Sequence, residues 1–171
     1  MSIYDKALKG LLRKCLILRF KNYEEFEKIV STLSNDEIEW LKELSKNNPY
    51  AQFNLGYMYY LGLRVKTNYK EAVRLLRLSA DQGNSEAQNK LGNMYHVGLI
   101  VKKDNKEAVR YYRSSAEQDN ALGQKSLGYM YYHGLGVEKD NKEAVRLFHL
   151  AADQGNSDAK CYLNRLSNKL I

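Results

Sequence analysis

One short motif occurs three times in this chain of 171 residues, at intervals of 36 residues. The motif reads Leu-Gly-x-Met-Tyr and begins at Leu55, Leu91 and Leu127. Each copy is followed by a glycine and then by a Glu-Ala-Val-Arg segment. A period of roughly 20–50 residues indicates a stacked-repeat architecture, because one unit cannot bury its apolar face without a neighbour. Such an array leaves a long surface free, which favours a binding role over catalysis.

Each repeat carries start and stop signals for two helices, which we name helix A and helix B. We frame the repeats as 48–83, 84–119 and 120–155, each opening with an asparagine that can cap helix A. Helix A is expected to stop before a glycine suited to left-handed backbone, so that its last residues are Leu61, Val97 and His133. Helix B is expected to start with a capping box, because Asn or Asp is followed three residues later by Glu. The boxes are Asn68 with Glu71, Asp104 with Glu107, and Asp140 with Glu143.

A glycine also recurs in the middle of the predicted helix A, at Gly56, Gly92 and Gly128. Glycine in a helix interior costs roughly 1 kcal/mol relative to alanine. Three such glycines in phase predict that another backbone approaches too closely to admit a Cβ atom.

The segments outside the repeats are predicted to be helical caps. Residues 1–47 form an N-terminal cap, with helices expected over 3–20 and 23–33. Residues 34–46 are a degenerate helix B, opened by a capping box of Ser34 and Glu37, with Trp40 in the large buried position. Residues 156–171 form a C-terminal capping helix, as the end of a repeat array requires.

Taken together, these motifs resemble the Sel-one-like repeat family, whose members are relatives of the tetratricopeptide repeat. The third unit matches most closely, while Arg64 and Ile100 stand where the family has a second turn glycine. The resemblance covers residues 48–163. It implies an all-α fold, a right-handed αα superhelix of about three helix-turn-helix repeats with helical caps. It also implies an adaptor or scaffold for protein partners.

The resemblance further implies a binding surface. In tetratricopeptide-like stacks, the helix A positions that do not pack inward line a concave groove. Tyrosines recur at these positions, and tyrosine is enriched at interfaces. We predict that the groove stays open and binds an unidentified protein or an extended or helical peptide. The alternative is that the tyrosines only cover the joints between helices. The predicted partner-binding residues are Tyr50, Phe53, Tyr57, Tyr60, Asn89, Asn93, His96, Lys125, Tyr129, Tyr132 and His133.

The formal net charge of +7 leaves two alternatives to this function. One is a nucleic-acid-binding solenoid, although the basic residues are spread without a run and match no base-reading code. The other is a regulatory subunit that binds through residues 1–47.

No pattern in the chain indicates catalysis. Its three histidines lack metal-ligand spacing, and it contains no nucleotide-binding, metalloprotease or serine-hydrolase motif. We therefore expect no enzyme activity, no cofactor and no metal. Cys15 and Cys161 are expected to be reduced, and no signal peptide or membrane-spanning segment is recognised. These features predict a soluble protein, cytoplasmic or inside a host cell, without membrane insertion.

Overall fold

The regular secondary structure of the described residues is entirely α-helical. The computed structural model describes residues 23–167, and no strand occurs within this range. The helices, numbered in chain order, are α1 (Tyr23–Ser31), α2 (Asn35–Leu44), α3 (Pro49–Leu61), α4 (Tyr69–Asp81), α5 (Ser85–Val97), α6 (Asn105–Ala116), α7 (Ala121–His133), α8 (Asn141–Asp153) and α9 (Ser157–Ser167). The predicted all-α class is confirmed. The helix expected over residues 3–20 lies outside the described residues.

The chain divides into two compact units, one ending at Gln82 and the other beginning at Gly83. In the first unit, α3 and α4 pack as a pair, and α1 and α2 contribute side chains to the same core. In the second unit, α5 packs on α6, α7 packs on both α6 and α8, and α9 packs on α8. Each repeat is therefore a pair of consecutive helices.

The ends of helix A lie where the capping signals predicted. Asn48 Oδ1 accepts a hydrogen bond from the backbone N–H of Ala51 at 2.9 Å, and the asparagines one and two repeats later cap in the same way. Helix α3 ends before Gly62, whose φ of 73° is left-handed, and an equivalent glycine follows helix A in the other two repeats.

At the start of helix B, only one of the two hydrogen bonds of the predicted capping box forms. The backbone N–H of Glu71 donates to Asn68 Oδ1 at 3.1 Å, as expected. The N–H of Asn68, however, donates to the carbonyl oxygen of Tyr59 at 3.0 Å, and the Glu71 carboxylate pairs with Arg74 at 2.6 Å. The same pattern recurs in the second and third repeats. The prediction of a complete capping box is wrong at these helices, because the backbone N–H that should donate to the glutamate donates instead to a carbonyl of helix A. At Ser34 the complete capping box is confirmed.

In the second and third repeats, the nearest neighbour of the mid-helix glycine is an aromatic ring of helix B. A Cβ built on Gly92 would lie 2.5 Å from the ring of Tyr112, and one on Gly128 would lie 2.9 Å from the ring of Phe148. At Gly56 the nearest atoms, at 3.2 Å, include a backbone carbonyl oxygen of helix B. The expectation of a close backbone is therefore wrong in the second repeat, where the buried ring occupies the space.

After the glycine that ends helix A, the loop to helix B has a second left-handed residue in every repeat, whether or not it is glycine. The φ angles are 60° at Arg64, 70° at Ile100 and 70° at Gly136. A Cβ on Gly136 would overlap the backbone carbonyl of Asn105, so the third loop lies directly on the start of α6. The first two loops thus hold side chains in a conformation that disfavours them, most of all the β-branched isoleucine.

A hydrogen bond between a buried and an exposed glutamine, not anticipated from the sequence, joins the two helices of each repeat. Gln82 Nε2 donates to Gln52 Oε1 at 2.7 Å, and the corresponding bond is 2.8 Å long in the other two repeats. Glutamine recurs in phase at both positions, so the sequence contained the signal.

The N-terminal segment departs from the repeat pattern. Trp40 is only half-buried, and the core residues of α2 are Ile38 and Leu41. The expected placement of Trp40 in the large buried position is therefore wrong. At the other end, α9 begins like a fourth helix A, with Ala159 fully buried.

Candidate functional site

The second unit brings four of the predicted partner-binding residues together as one aromatic cluster. The aromatic cluster consists of His96 from α5 and of Tyr129, Tyr132 and His133 from α7. The ring centroid of Tyr129 lies 5.8 Å from that of His96 and 4.4 Å from that of His133. The Tyr132 ring meets His133 edge-on at 4.8 Å. His133 is exposed and the other three are half-buried, so the cluster presents both flat rings and polar groups to solvent.

Helix α9 flanks this cluster with a residue that the sequence analysis did not select. The Tyr162 ring lies 6.0 Å from Tyr129 and stacks on Phe148, with centroids 4.8 Å apart and planes 7° apart. Burial in this stack raises the pKa of Tyr162. One edge of the predicted face is thus occupied by the chain's own C-terminal helix.

Hydrogen bonds fix the polar side chains around the cluster. His96 Nδ1 lies 3.0 Å from Asn105 Oδ1, an oxygen that can only accept, so the bond requires the proton on Nδ1. The Tyr112 hydroxyl donates to Asn93 Oδ1 at 2.8 Å, and burial raises the pKa of that hydroxyl. Lys125 Nζ lies 3.8 Å from an Asp158 carboxylate oxygen. Two hydrogen bonds and one longer ion pair thus hold polar side chains beside the cluster.

In the first unit the predicted face is largely covered. The Phe26 ring of α1 lies 4.9 Å from that of Tyr57, which in turn stacks with Phe53 and Tyr60 at 6.0 Å. Phe26 is 1% exposed and Phe53 is 9% exposed. The expectation of an open face is therefore wrong at Phe53, whereas Tyr57 is half-buried against Phe26. Of the predicted residues in this unit, Tyr50 is the most accessible, at 50% exposure.

The predicted residues thus fall into three groups. Those with exposed side chains are Tyr50, Asn93 and His133; those that are half-buried are Tyr57, Tyr60, His96, Lys125, Tyr129 and Tyr132; those that are buried are Phe53 and Asn89. Neither Phe53 nor Asn89 offers an accessible side chain to a partner in this conformation.

The described residues do not assemble a cluster of metal ligands. Across 23–167 no group of three or more His, Cys, Asp or Glu side chains is placed to hold a metal ion. Burial lowers the pKa of Lys90 to about 8, but a single lysine with a lowered pKa does not make a site. Cys161 is an exposed free thiol, and Cys15 lies outside the described residues. Within the described range, none of the helices combines the length and the apolar character needed to cross a bilayer.

Consecutive helix pairs with a 36-residue period define an α-helical repeat protein. A sequence profile of the Sel1 repeat matches residues 49–84, 85–120 and 121–156, more than half of the chain. The chain therefore belongs to the Sel1 repeat family.

Solved structures support this assignment. A Sel1 repeat protein from Oxalobacter formigenes superposes with a TM-score of 0.72 at 35% identity, over 75% of this chain and 98% of the other. Cysteine rich protein B of Helicobacter pylori superposes with a TM-score of 0.60 at 26% identity, over 80% of this chain and 96% of the other.

Among curated proteins, the sel1-like repeat-containing protein L18 of Acanthamoeba polyphaga mimivirus is 31% identical over 85 residues. That match covers 48% of this chain and 15% of the viral protein, so the chain spans only a small part of its relative.

Proposed function

We propose that this protein is a non-enzymatic interaction module that binds a partner protein or peptide through the aromatic cluster of its second unit. Sel1 repeat proteins are generally scaffolds for protein–protein interaction. The observation that carries the proposal is that four rings from two different helices converge on one partly open surface. Aromatic side chains of this kind supply a large contact area with few rotatable bonds, and they dominate protein interfaces.

Within the cluster, we assign the main contacts to Tyr132 and His133. Tyr129 is enclosed by His96, His133 and Tyr162, so it supports the surface more than it meets a partner. His133 is exposed, and Lys139 Nζ lies 6.0 Å from the Tyr132 ring centroid. Rings beside a cation suit a partner that presents apolar side chains together with acidic ones.

The test is affinity capture from a cell extract with the full chain as bait, followed by quantitative mass spectrometry. The test variant is Tyr132→Ala with His133→Ala. The matched control is Tyr69→Ala, which truncates a tyrosine on α4 that is 51% exposed and lies outside the cluster. We expect a protein that the wild type and the control retain and the double variant loses. Equal recovery by all three baits rejects the proposal.

The same capture, repeated at higher salt and with a bait that lacks residues 1–47, separates the two alternatives. Binding through several nucleic-acid phosphates would collapse steeply as salt is raised, whereas an aromatic interface would weaken little. Binding through residues 1–47 would survive the double variant and be lost when those residues are deleted.

A further inference from the structure

A cleft of about 560 Å³ opens in the first unit, between α2 and the loop that joins α3 to α4. This volume is within the range of about 300–1,000 Å³ typical of ligand pockets. Ile38 and Val65 give the cleft apolar walls, and Tyr59 and Thr67 add hydroxyl groups. Such mixed walls suit a ligand with both methylene groups and a polar end.

The charges that line the cleft are mainly positive. Lys42, Arg64 and Lys66 face a single carboxylate, that of Glu39. Glu39 is already paired with Lys42 at 2.7 Å, and this hydrogen bond raises the pKa of the lysine. Neither Arg64 nor Lys66 forms an ion pair with the described residues. Among the described residues, no carboxylate neutralises the charge of these two cations.

Arg64 is held in the cleft at a conformational cost. Its φ of 60° is left-handed, and the third repeat has Gly136 at this position. Its guanidinium Nη2 donates to Asn35 Oδ1 at 3.1 Å, which ties the loop to α2. In the third repeat, Gly136 allows the loop to lie against Asn105. In the first repeat, the loop that carries Arg64 borders an open space. Arg64 is thus a residue with a strained backbone on the wall of the cleft, and such residues are enriched at binding sites.

We propose that this cleft binds an acidic side chain of a partner peptide, with Arg64 and Lys66 holding the carboxylate. Guanidinium groups bind carboxylates through charge-assisted hydrogen bonds, and only one of the five Arg64 N–H groups has a partner among the described residues. The apolar walls accommodate the methylene groups of a glutamate. A nucleic-acid strand is the poorer fit, because the cations gather in one cleft and do not form a stripe that could follow a phosphate backbone. The inference rests on the proposed function only in taking a peptide as the ligand.

The experiment is a titration of the ¹⁵N-labelled full chain with an acetylated tetraglutamate peptide, followed by amide NMR. Tetraglutamine, inorganic phosphate and oligothymidylate are titrated in parallel. We expect saturable shifts at the amides of residues 64–68 with tetraglutamate, none with tetraglutamine, and weakening as salt is raised. Arg64→Gly and Lys66→Gln should each weaken binding about tenfold, as the loss of a hydrogen bond to a charged group predicts. Lys160→Gln, which removes an exposed cation from α9, should leave binding unchanged.

Arg64→Gly places the glycine of the third repeat in a left-handed turn, so it should fold at least as well as the wild type. Lys66→Gln changes an exposed side chain and gives a second, independent variant. Absence of shifts with tetraglutamate, or equal binding by all variants, overturns the inference. Tighter binding of phosphate or of oligothymidylate than of tetraglutamate also overturns it. Because the aromatic cluster lies in the other unit, the Tyr132→Ala and His133→Ala variant tests the proposed function without touching this cleft.

Discussion

Substituting Gly92 by alanine tests how tightly a large side chain of helix B is packed against helix A. The new Cβ would lie 2.5 Å from the Tyr112 ring, whereas ordinary contact begins at 3.4 Å, so the ring must move by about 1 Å. Tyr112 is 2% exposed and donates a hydrogen bond to Asn93, so it has no free direction in which to move. Overpacking of this kind costs about 1–3 kcal/mol, and a lost hydrogen bond costs about 1 kcal/mol more.

The alanine also improves helix propensity by about 1 kcal/mol, which offsets part of this cost. We therefore expect Gly92→Ala to lower the free energy of unfolding by about 1–3 kcal/mol. Gly56→Ala is the matched control, because its nearest contacts are at 3.2 Å and need only a slight adjustment. Its free energy of unfolding should stay within about 1 kcal/mol of the wild type.

The assay is urea unfolding followed by far-ultraviolet circular dichroism. A double-mutant cycle adds Tyr112→Leu, which installs the leucine that the first repeat has at this position, Leu76. If the ring causes the clash, Gly92→Ala should cost at least about 1 kcal/mol less in the leucine background than in the wild type. The reasoning is refuted if Gly92→Ala and Gly56→Ala have equal effects, or if the cycle shows no coupling.

Three further predictions concern other parts of the chain. Lys90→Met should raise the free energy of unfolding by about 1–3 kcal/mol at neutral pH. Lys90 has a pKa of about 8 in the folded protein and of 10.5 in the unfolded chain, so the gain in the free energy of unfolding should shrink as pH rises across that interval. A gain that does not depend on pH contradicts the pKa assignment. Ile100→Gly should stabilise the protein by about 1 kcal/mol in urea unfolding, because it relieves a left-handed isoleucine; destabilisation argues against that strain. Truncation after Gly155 should lower solubility and the thermal midpoint, because it exposes the fully buried Phe148; a soluble, cooperatively melting fragment contradicts this.

The ends of helix A could be predicted to the residue. The span of α3 follows from Asn48, Pro49 and Gly62, whose side chains and backbone preferences act on their immediate neighbours. Because the same signals recur every 36 residues, the helix ends predicted in one repeat support those predicted in the other two. The division of the chain into caps and repeats at the boundaries given above, by contrast, stays a prediction.

Features that depend on how separate segments meet could not be predicted. Nothing in the sequence of α1 indicates that Phe26 covers Tyr57, because the N-terminal segment has no repeat phase to place it. The capping boxes of helix B failed for a related reason, since the carbonyl of Tyr59 competes for the Asn68 amide across a loop. Position in the repeat predicted that the residues of the aromatic cluster lie outside the core, but it also selected Phe53 and Asn89, which are buried, and it did not predict that Phe26 lies against Tyr57.

The most direct test of the account is hydroxyl-radical footprinting of the chain, alone and with the partner recovered by affinity capture. If the aromatic cluster is the binding surface, oxidation of Tyr132 and His133 should fall sharply in the complex. Oxidation of Tyr69, which is 51% exposed on α4, should not change. Unaltered oxidation of Tyr132 and His133, with protection elsewhere in the chain, would contradict the assignment of binding to this surface.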